Sequence, residues 1–129
     1  MSLHESWRTR LFWEKAGGML IEEFVVVRRS KQIARRLIDA VIVLNEKKQL
    51  CSNNDYNISG KDVIVIQTKS GRLGMYLLGQ AYFSKVLIKQ HNPKSIRVVA
   101  ICGKSDLAME ELALQENIEV IVIPEQDKI

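Results

Sequence analysis

Three short runs of the sequence are apolar without interruption: residues 63–66, 98–101 and 120–123. A strand with one face in water alternates apolar and polar residues, whereas a strand covered on both faces is apolar throughout. The three runs therefore predict central strands of a sheet that has helices on both faces. Residues 73–90 and 106–115 separate the runs and have helical periodicity. Such strand-helix-strand passages predict right-handed crossovers between parallel strands.

The first half of the chain predicts an antiparallel meander behind one amphipathic helix. Residues 4–16 have helical spacing, with Trp7, Leu11 and Phe12 on the expected buried side and Gly17-Gly18 at the end. Strands without helices between them favour antiparallel pairing. They follow at residues 19–27, 37–44 and 61–69.

With two later strands at residues 95–102 and 118–123, the predicted order is α-β-β-β-α-β-α-β. This order predicts an α/β fold in which helices flank a mixed sheet. The length of 129 residues predicts a single domain, 1–129, whose core covers about 4–102. Residues 95–123 would then add a β-α-β extension at the C-terminal end.

The composition is that of a soluble globular domain, with 47% hydrophobic and 26% charged residues. No apolar run reaches the ~18 residues that a membrane span needs, so we expect no membrane partner. Cys51 and Cys102 have no Cys or His neighbour at metal-ligand spacing. Two isolated cysteines predict a reducing, cytoplasmic location.

Positive charge is concentrated in the first 102 residues. Residues 103–129 hold two basic and seven acidic residues, so residues 1–102 carry +9 although the whole chain carries +4. Residues 28–36 contain five basic residues and no acid. A body this basic predicts an anionic partner, with nucleic acid as the first candidate. The alternative is a solvated polar turn.

One acidic residue interrupts the second predicted strand. Asp39 is surrounded by Leu37, Ile38, Ala40 and Val41. A carboxylate among apolar side chains is costly unless it is paired, hydrogen-bonded or bound to a cation. The alternatives are a water-exposed strand edge and an ion pair with a neighbouring arginine.

The third predicted strand ends in Gln67-Thr68-Lys69, where strand alternation puts Gln67 and Lys69 on one face and Thr68 on the other. If this strand pairs with the second, Asp39 lies beside them. Mg²⁺ takes oxygen ligands. Asp39 and Gln67 would supply two such oxygens and the Thr68 carbonyl a third, with Lys69 near a metal-bound water or a phosphate. The alternative is a solvated strand end.

Two helical residues are weaker candidates. Glu5 lies on the first helix, where an exposed glutamate also stabilises the helix start and Glu14 is a competing choice. Gln80 lies mid-helix among apolar residues, where it would reach a phosphate, an active-site water or a backbone group.

Taken together, these residues resemble the PD-(D/E)xK, or restriction-endonuclease-like, nuclease superfamily, over residues 4–102. The nearest branches are those similar to Holliday-junction resolvases and restriction enzymes. Asp39 matches the family's metal-binding aspartate, and Gln67-Thr68-Lys69 matches its (D/E)xK element. Glu5 matches a glutamate on the first helix, and Gln80 a glutamine found in some branches.

Two positions depart from the family pattern. Ile38 stands where the family has proline, and Gln67 replaces the usual acidic residue. The second departure removes one negative charge from the expected metal site, which weakens metal binding or removes the activity.

The resemblance implies metal-assisted hydrolysis of DNA phosphodiesters, endonucleolytic or exonucleolytic, with Mg²⁺ or alternatively Mn²⁺. Asp39, Gln67, Glu5 and Thr68 would hold the metal, Lys69 would orient the nucleophile or stabilise the transition state, and Gln80 would assist. Basic residues would contact the DNA backbone. They are Arg28, Arg29, Lys31, Arg35, Arg36 and Arg72.

Two other functions fit the same residues. A nucleic-acid-binding module on this fold would lack catalysis, as the presence of Gln67 suggests. An α/β interaction domain would use the acidic C-terminal segment to bind a partner or a second copy. A homodimer is compatible with nuclease function, because two DNA strands need two sites.

Overall fold

The computed structural model describes residues 3–125, and of residues 3–5 the backbone alone. A 3-10 turn, Lys89–His91, follows the second helix. The elements in chain order are α1 (Leu3–Ala16), β1 (Met19–Val27), β2 (Arg36–Val43), β3 (Gln49–Leu50), β4 (Asp62–Thr68), α2 (Met75–Ile88), β5 (Ser95–Cys102), α3 (Leu107–Gln115) and β6 (Ile118–Val122).

The described strands form one mixed sheet in the order β3-β1-β2-β4-β5-β6. β1, β2 and β4 pair antiparallel, and β4, β5 and β6 pair parallel. The predicted α/β class, a mixed sheet flanked by helices, is confirmed. The element order differs by β3, a two-residue exposed strand beside β1 in the segment predicted as a loop. A pairing this short leaves no periodic signal in the sequence.

The core consists of two layers, one on each face of the sheet. On one face, α1 packs Phe12, Trp13 and Ala16 against buried residues of β1, β2, β4 and β5. On the other face, α2 and α3 cover the same strands and β6. Residues 63–66 and 98–101 are buried on both faces, as predicted.

The third apolar run is not a central strand, contrary to the prediction. β6 is at the edge of the sheet, and Val122 is 40% exposed. An uninterrupted apolar run indicates shielding from water, but it does not reveal whether another strand lies outside it.

The buried side of α1 also differs from the predicted one. Leu11 is 41% exposed, whereas Arg8 and Thr9 are fully buried. The side of α1 that faces the sheet therefore contains Phe12 and Trp13 and, one turn earlier, Arg8 and Thr9. No helix among residues 3–125 is long and apolar enough to cross a bilayer.

A local irregularity in β1 and β2 positions Asp39. Ile21 and Phe24 lie in one core layer although they are three residues apart, and so do Ile38 and Val41. Successive strand residues normally face opposite sides, so residues three apart share a side only if the strand changes its facing between them. Glu23, at this point of β1, has φ +54°, in the left-handed region.

Candidate functional site

The site lies where β2 and β4 separate. The last backbone pair between them joins Ala40 and Ile66. Beyond it, the Thr68 amide donates a hydrogen bond of 2.9 Å to Oδ2 of Asp39. A carboxylate thus replaces the backbone acceptor that β2 no longer offers. The predicted pairing of the second and third long strands is confirmed, and Asp39 lies against the peptide between Gln67 and Thr68.

The residues at the end of β4 alternate between the two faces, as predicted. Thr68 Oγ1 is 2.8 Å from Thr9 Oγ1 of α1, in a fully buried hydrogen bond. Gln67 points to the other face, where its Nε2 donates to Ser84 Oγ of α2 at 2.7 Å. Lys69 is exposed, and its Nζ lies 5.2 Å from the ring centre of Tyr76, also on α2. Gln67 and Lys69 therefore share the α2 side.

Burial raises the pKa of Asp39 above its ordinary value of 3.8. The hydrogen bond from Thr68 acts in the opposite direction, and the nearby carboxylate of Glu23 raises the pKa further. Glu23 lies opposite Asp39, because its neighbours Glu22 and Phe24 pair with Ala40 and Ile38. A second carboxylate thus lies across the strand pair from Asp39.

Sequence reasoning missed Glu23. The available signal was the antiparallel pairing of residues 19–27 with 37–44, which puts one of the two glutamates in that strand opposite Asp39. Choosing between Glu22 and Glu23 required the register, and Glu22 instead binds Arg10 of α1 through two hydrogen bonds.

The donor chemistry at Asp39 fits a hard divalent cation. Carboxylate oxygens of Asp39 and Glu23 are the ligand type that Mg²⁺ and Mn²⁺ accept, and a cation would offset both the burial and the mutual repulsion. Glu5 is part of α1, but its side chain lies outside the described residues. Within the described part of the chain, no group of three or more His, Cys, Asp or Glu side chains forms a metal cluster.

Gln67 is less accessible than expected for a metal ligand. Its side chain is 5% exposed and its amide nitrogen is committed to Ser84. It lines a groove of about 660 Å³ on the α2 side, of which neither Asp39 nor Lys69 is a lining residue. The structure therefore joins Asp39 to the backbone of β4, whereas the Gln67 side chain faces the groove.

This groove, called the α2 groove below, lies between α2 and the start of β2. Gln80 is exposed there. Polar and charged residues among its walls include Arg35 and Arg36. The full lining is Val26, Arg35, Arg36, Leu37, Ile38, Gln67, Met75, Tyr76, Gly79, Gln80, Phe83, Ser84 and Leu87.

The six arginines and lysines expected to contact DNA are all exposed. Two of them form ion pairs with acidic residues. Nη2 of Arg28 lies 3.4 Å from Oδ2 of Asp55, and Nη1 of Arg72 lies 3.8 Å from Oδ2 of Asp106. The other four are Arg29, Lys31, Arg35 and Arg36. Among residues 3–125, none of these four forms an ion pair. Five of the six belong to the β1–β2 connection and the first residue of β2.

Arg8 is a second residue that sequence reasoning missed. Its side chain is fully buried beside Thr9, and Nε donates to the Ile123 carbonyl at 2.8 Å. Nη2 forms an ion pair of 2.9 Å with Glu125, and the guanidinium lies 4.4 Å from the ring centre of Trp7. Arg8 thus fastens the chain after β6 to α1, next to the end of β4.

Comparisons with known proteins add no identification: no family model, no curated protein and no solved structure matches this chain.

Proposed function

We propose that this protein hydrolyses DNA phosphodiester bonds with a divalent cation, in the manner of the PD-(D/E)xK nucleases that its sequence resembles. The observation that carries the proposal is the partly buried Asp39 carboxylate, held against the end of β4 by the Thr68 amide. Its pKa is raised by burial and by Glu23. A carboxylate whose pKa is raised by burial and by a second carboxylate is typical of metal-binding and catalytic sites.

Asp39 and Glu23 would hold Mg²⁺ or Mn²⁺, with Glu5 as a further ligand from α1. The cation would activate water and stabilise the charge that develops on phosphorus. Lys69 is exposed one residue beyond β4, where its ammonium can approach a phosphate oxygen. Its contact with the Tyr76 ring restricts the directions that its side chain takes.

The exposed basic residues would bind the sugar-phosphate backbone. Arg35 and Arg36 are closest in sequence to Asp39 and line the α2 groove. Contacts of this kind give affinity that decreases with salt, and little sequence selectivity.

Location and assembly follow from the same proposal. Cys51 and Cys102 are free thiols, which is compatible with a cytoplasmic protein. Cleavage of both strands of a duplex would require two sites, and a homodimer would supply them.

DNA binding without hydrolysis is the second candidate, and the Gln67–Ser84 hydrogen bond favours it. In a catalytic version of the site, Gln67 would offer an oxygen to the metal beside Asp39. Here the Gln67 side chain is 5% exposed, and donation from its Nε2 to Ser84 Oγ ties the amide to α2.

The decisive experiment measures cleavage of labelled single-stranded and duplex DNA in Mg²⁺, in Mn²⁺ and in EDTA. We expect cleavage that requires the cation. Asp39→Asn should lower the rate at least about 100-fold because it removes a charged metal ligand. Lys69→Ala should lower it about 100-fold because transition-state charge loses a partner.

Glu111→Gln and Lys47→Ala are matched controls, because they change the same kinds of charge at exposed positions of α3 and of the loop after β2. Both should cleave like the unmodified protein. Undiminished cleavage in Asp39→Asn and Lys69→Ala would refute the site. Salt-dependent DNA binding without cleavage in either cation would establish the second candidate instead.

A further inference from the structure

Large apolar side chains project into solvent along the α2 groove. Tyr76 is 70% exposed, Phe83 62% and Met75 74%. Tyr76 and Phe83 are seven residues apart on α2, so they lie on one side of the helix, about 10 Å apart along its axis. Both line the groove. Two exposed aromatic rings on one helix face form a surface on which flat apolar groups can stack.

The opposite wall of the groove is positively charged. Arg35 and Arg36 line it, and no acidic side chain is found among the lining residues that the structure describes. The ammonium of Lys69 lies 5.2 Å from the Tyr76 ring centre, at the end of the groove next to β4. The ligand that fits these walls has a flat apolar part for the rings and a chain of negative charges for the cations.

We propose that the α2 groove binds an unpaired strand of DNA, with bases stacked on Tyr76 and Phe83 and phosphates beside Arg35 and Arg36. Aromatic rings beside a positively charged groove are the common means of binding single strands. In a duplex the faces of the bases are stacked on one another, so these rings cannot stack on them. This inference rests on the proposed function, because it specifies the DNA that reaches the site at Asp39.

Binding can be separated from cleavage by working in EDTA. Fluorescence anisotropy would compare a labelled oligothymidylate of about 20 nucleotides with a duplex of the same length. We expect tighter binding of the single strand. Tyr76→Ala and Phe83→Ala should each weaken single-strand binding about 10-fold and change duplex binding less than about 2-fold. Arg35→Ala should weaken the binding of both.

Two further variants separate stacking from other causes. Tyr76→Phe keeps the ring and should bind single strands like the unmodified protein. Leu114→Ala removes an equally exposed apolar side chain from α3 (Leu114 is 79% exposed) and should have no effect. Because Tyr76 and Phe83 are largely exposed, their replacement should leave the unfolding transition unchanged.

Three results would overturn the inference: equal affinity for single strand and duplex, equal losses for both DNA forms in Tyr76→Ala, or a loss in Leu114→Ala as large as in Tyr76→Ala. Light scattering adds a fourth: a dimer that Tyr76→Ala converts to monomer while single-strand affinity stays the same. That result would assign the groove to a second copy of the chain. Single-strand binding that depends on Tyr76, without cleavage in Mg²⁺ or Mn²⁺, would support the groove and refute hydrolysis.

Discussion

The two faces of the sheet differ most at the end of β4. On the α1 face, Thr68 forms a fully buried hydrogen bond with Thr9, and Arg8 closes the neighbouring space with the chain after β6. On the α2 face, Gln67 and Lys69 contact α2 beside an open groove lined by exposed aromatic and basic side chains. Consecutive residues of one strand thus serve a closed face and an accessible one.

The two faces therefore have different roles: one supports the end of β4, and the other leaves it accessible to a ligand. The closed α1 face fixes the backbone from which Asp39 receives its hydrogen bond. The open α2 face gives a large ligand a way to approach the same strand end. Substitutions of buried residues, which include Arg8, Thr9 and Thr68 on the α1 face, should therefore affect mainly stability, and substitutions of the exposed residues of the α2 groove mainly binding.

The largest stability effect should come from Arg8→Ala. This substitution leaves a cavity on the α1 face and removes the group that donates a hydrogen bond to the Ile123 carbonyl. We expect a loss of about 3 kcal/mol in the free energy of unfolding, measured by urea denaturation. Arg10→Ala is the control on the same helix, because Arg10 is half-exposed and pairs with Glu22 at the surface. Its cost should stay below about 1 kcal/mol. Equal losses in the two variants would refute the supporting role of Arg8.

An intermediate effect is expected from Ser84→Ala on the α2 face. The substitution leaves the buried amide of Gln67 without its partner, at a cost of about 1 to 2 kcal/mol in unfolding free energy. Ser95→Ala is the control, since Ser95 donates to Asp62 in an exposed position, and its loss should cost less than about 0.5 kcal/mol.

The same variant tests the role of Gln67. If Gln67 is a metal ligand, its release from Ser84 will change the affinity for Mn²⁺ measured by calorimetry. Unchanged affinity would assign Gln67 to packing against α2.

The smallest effect is a pH dependence that Asp39 contributes. Its pKa is raised in the folded protein, so the folded state binds more protons than the unfolded chain above pH 3.8. This contribution to stability is complete at low pH and is lost as pH rises from 3.8 through the raised pKa. Relative to Asp39→Asn, the unmodified protein should therefore lose stability from about pH 4 towards pH 7 in EDTA. Mn²⁺ should reduce that loss, because a bound cation favours the charged carboxylate.

Asp62→Asn supplies a control of opposite sign. Hydrogen bonds from Ser95 and Asn45 lower the pKa of Asp62, so its contribution is present above pH 3.8 and is lost as pH falls. Urea denaturation should therefore show the Asp62 effect below about pH 4 and the Asp39 effect above it, each as a pH-dependent difference from the unmodified protein, with opposite signs. Parallel curves for Asp39→Asn and the unmodified protein would contradict the raised pKa of Asp39.

Local patterns predicted much of the fold. Runs 63–66 and 98–101 identified the two fully covered strands, and alternation at Gln67-Thr68-Lys69 predicted which face each side chain takes. The same kind of pattern failed for residues 120–123. Val120, Ile121 and Ile123 are only partly buried against the core, and Val122 is 40% exposed, because β6 is an edge strand.

The sequence by itself determined the two covered strands, the antiparallel meander and the concentration of positive charge before β2. Each of these depends on spacing between near neighbours, which periodicity expresses directly. The tertiary structure alone decided that Arg8 is buried, because its hydrogen-bond partners Ile123 and Glu125 are at least 115 residues away. It also decided that Glu23 faces Asp39 and that Gln67 binds Ser84. These contacts depend on strand register and helix rotation, which are set by the packing of the whole core.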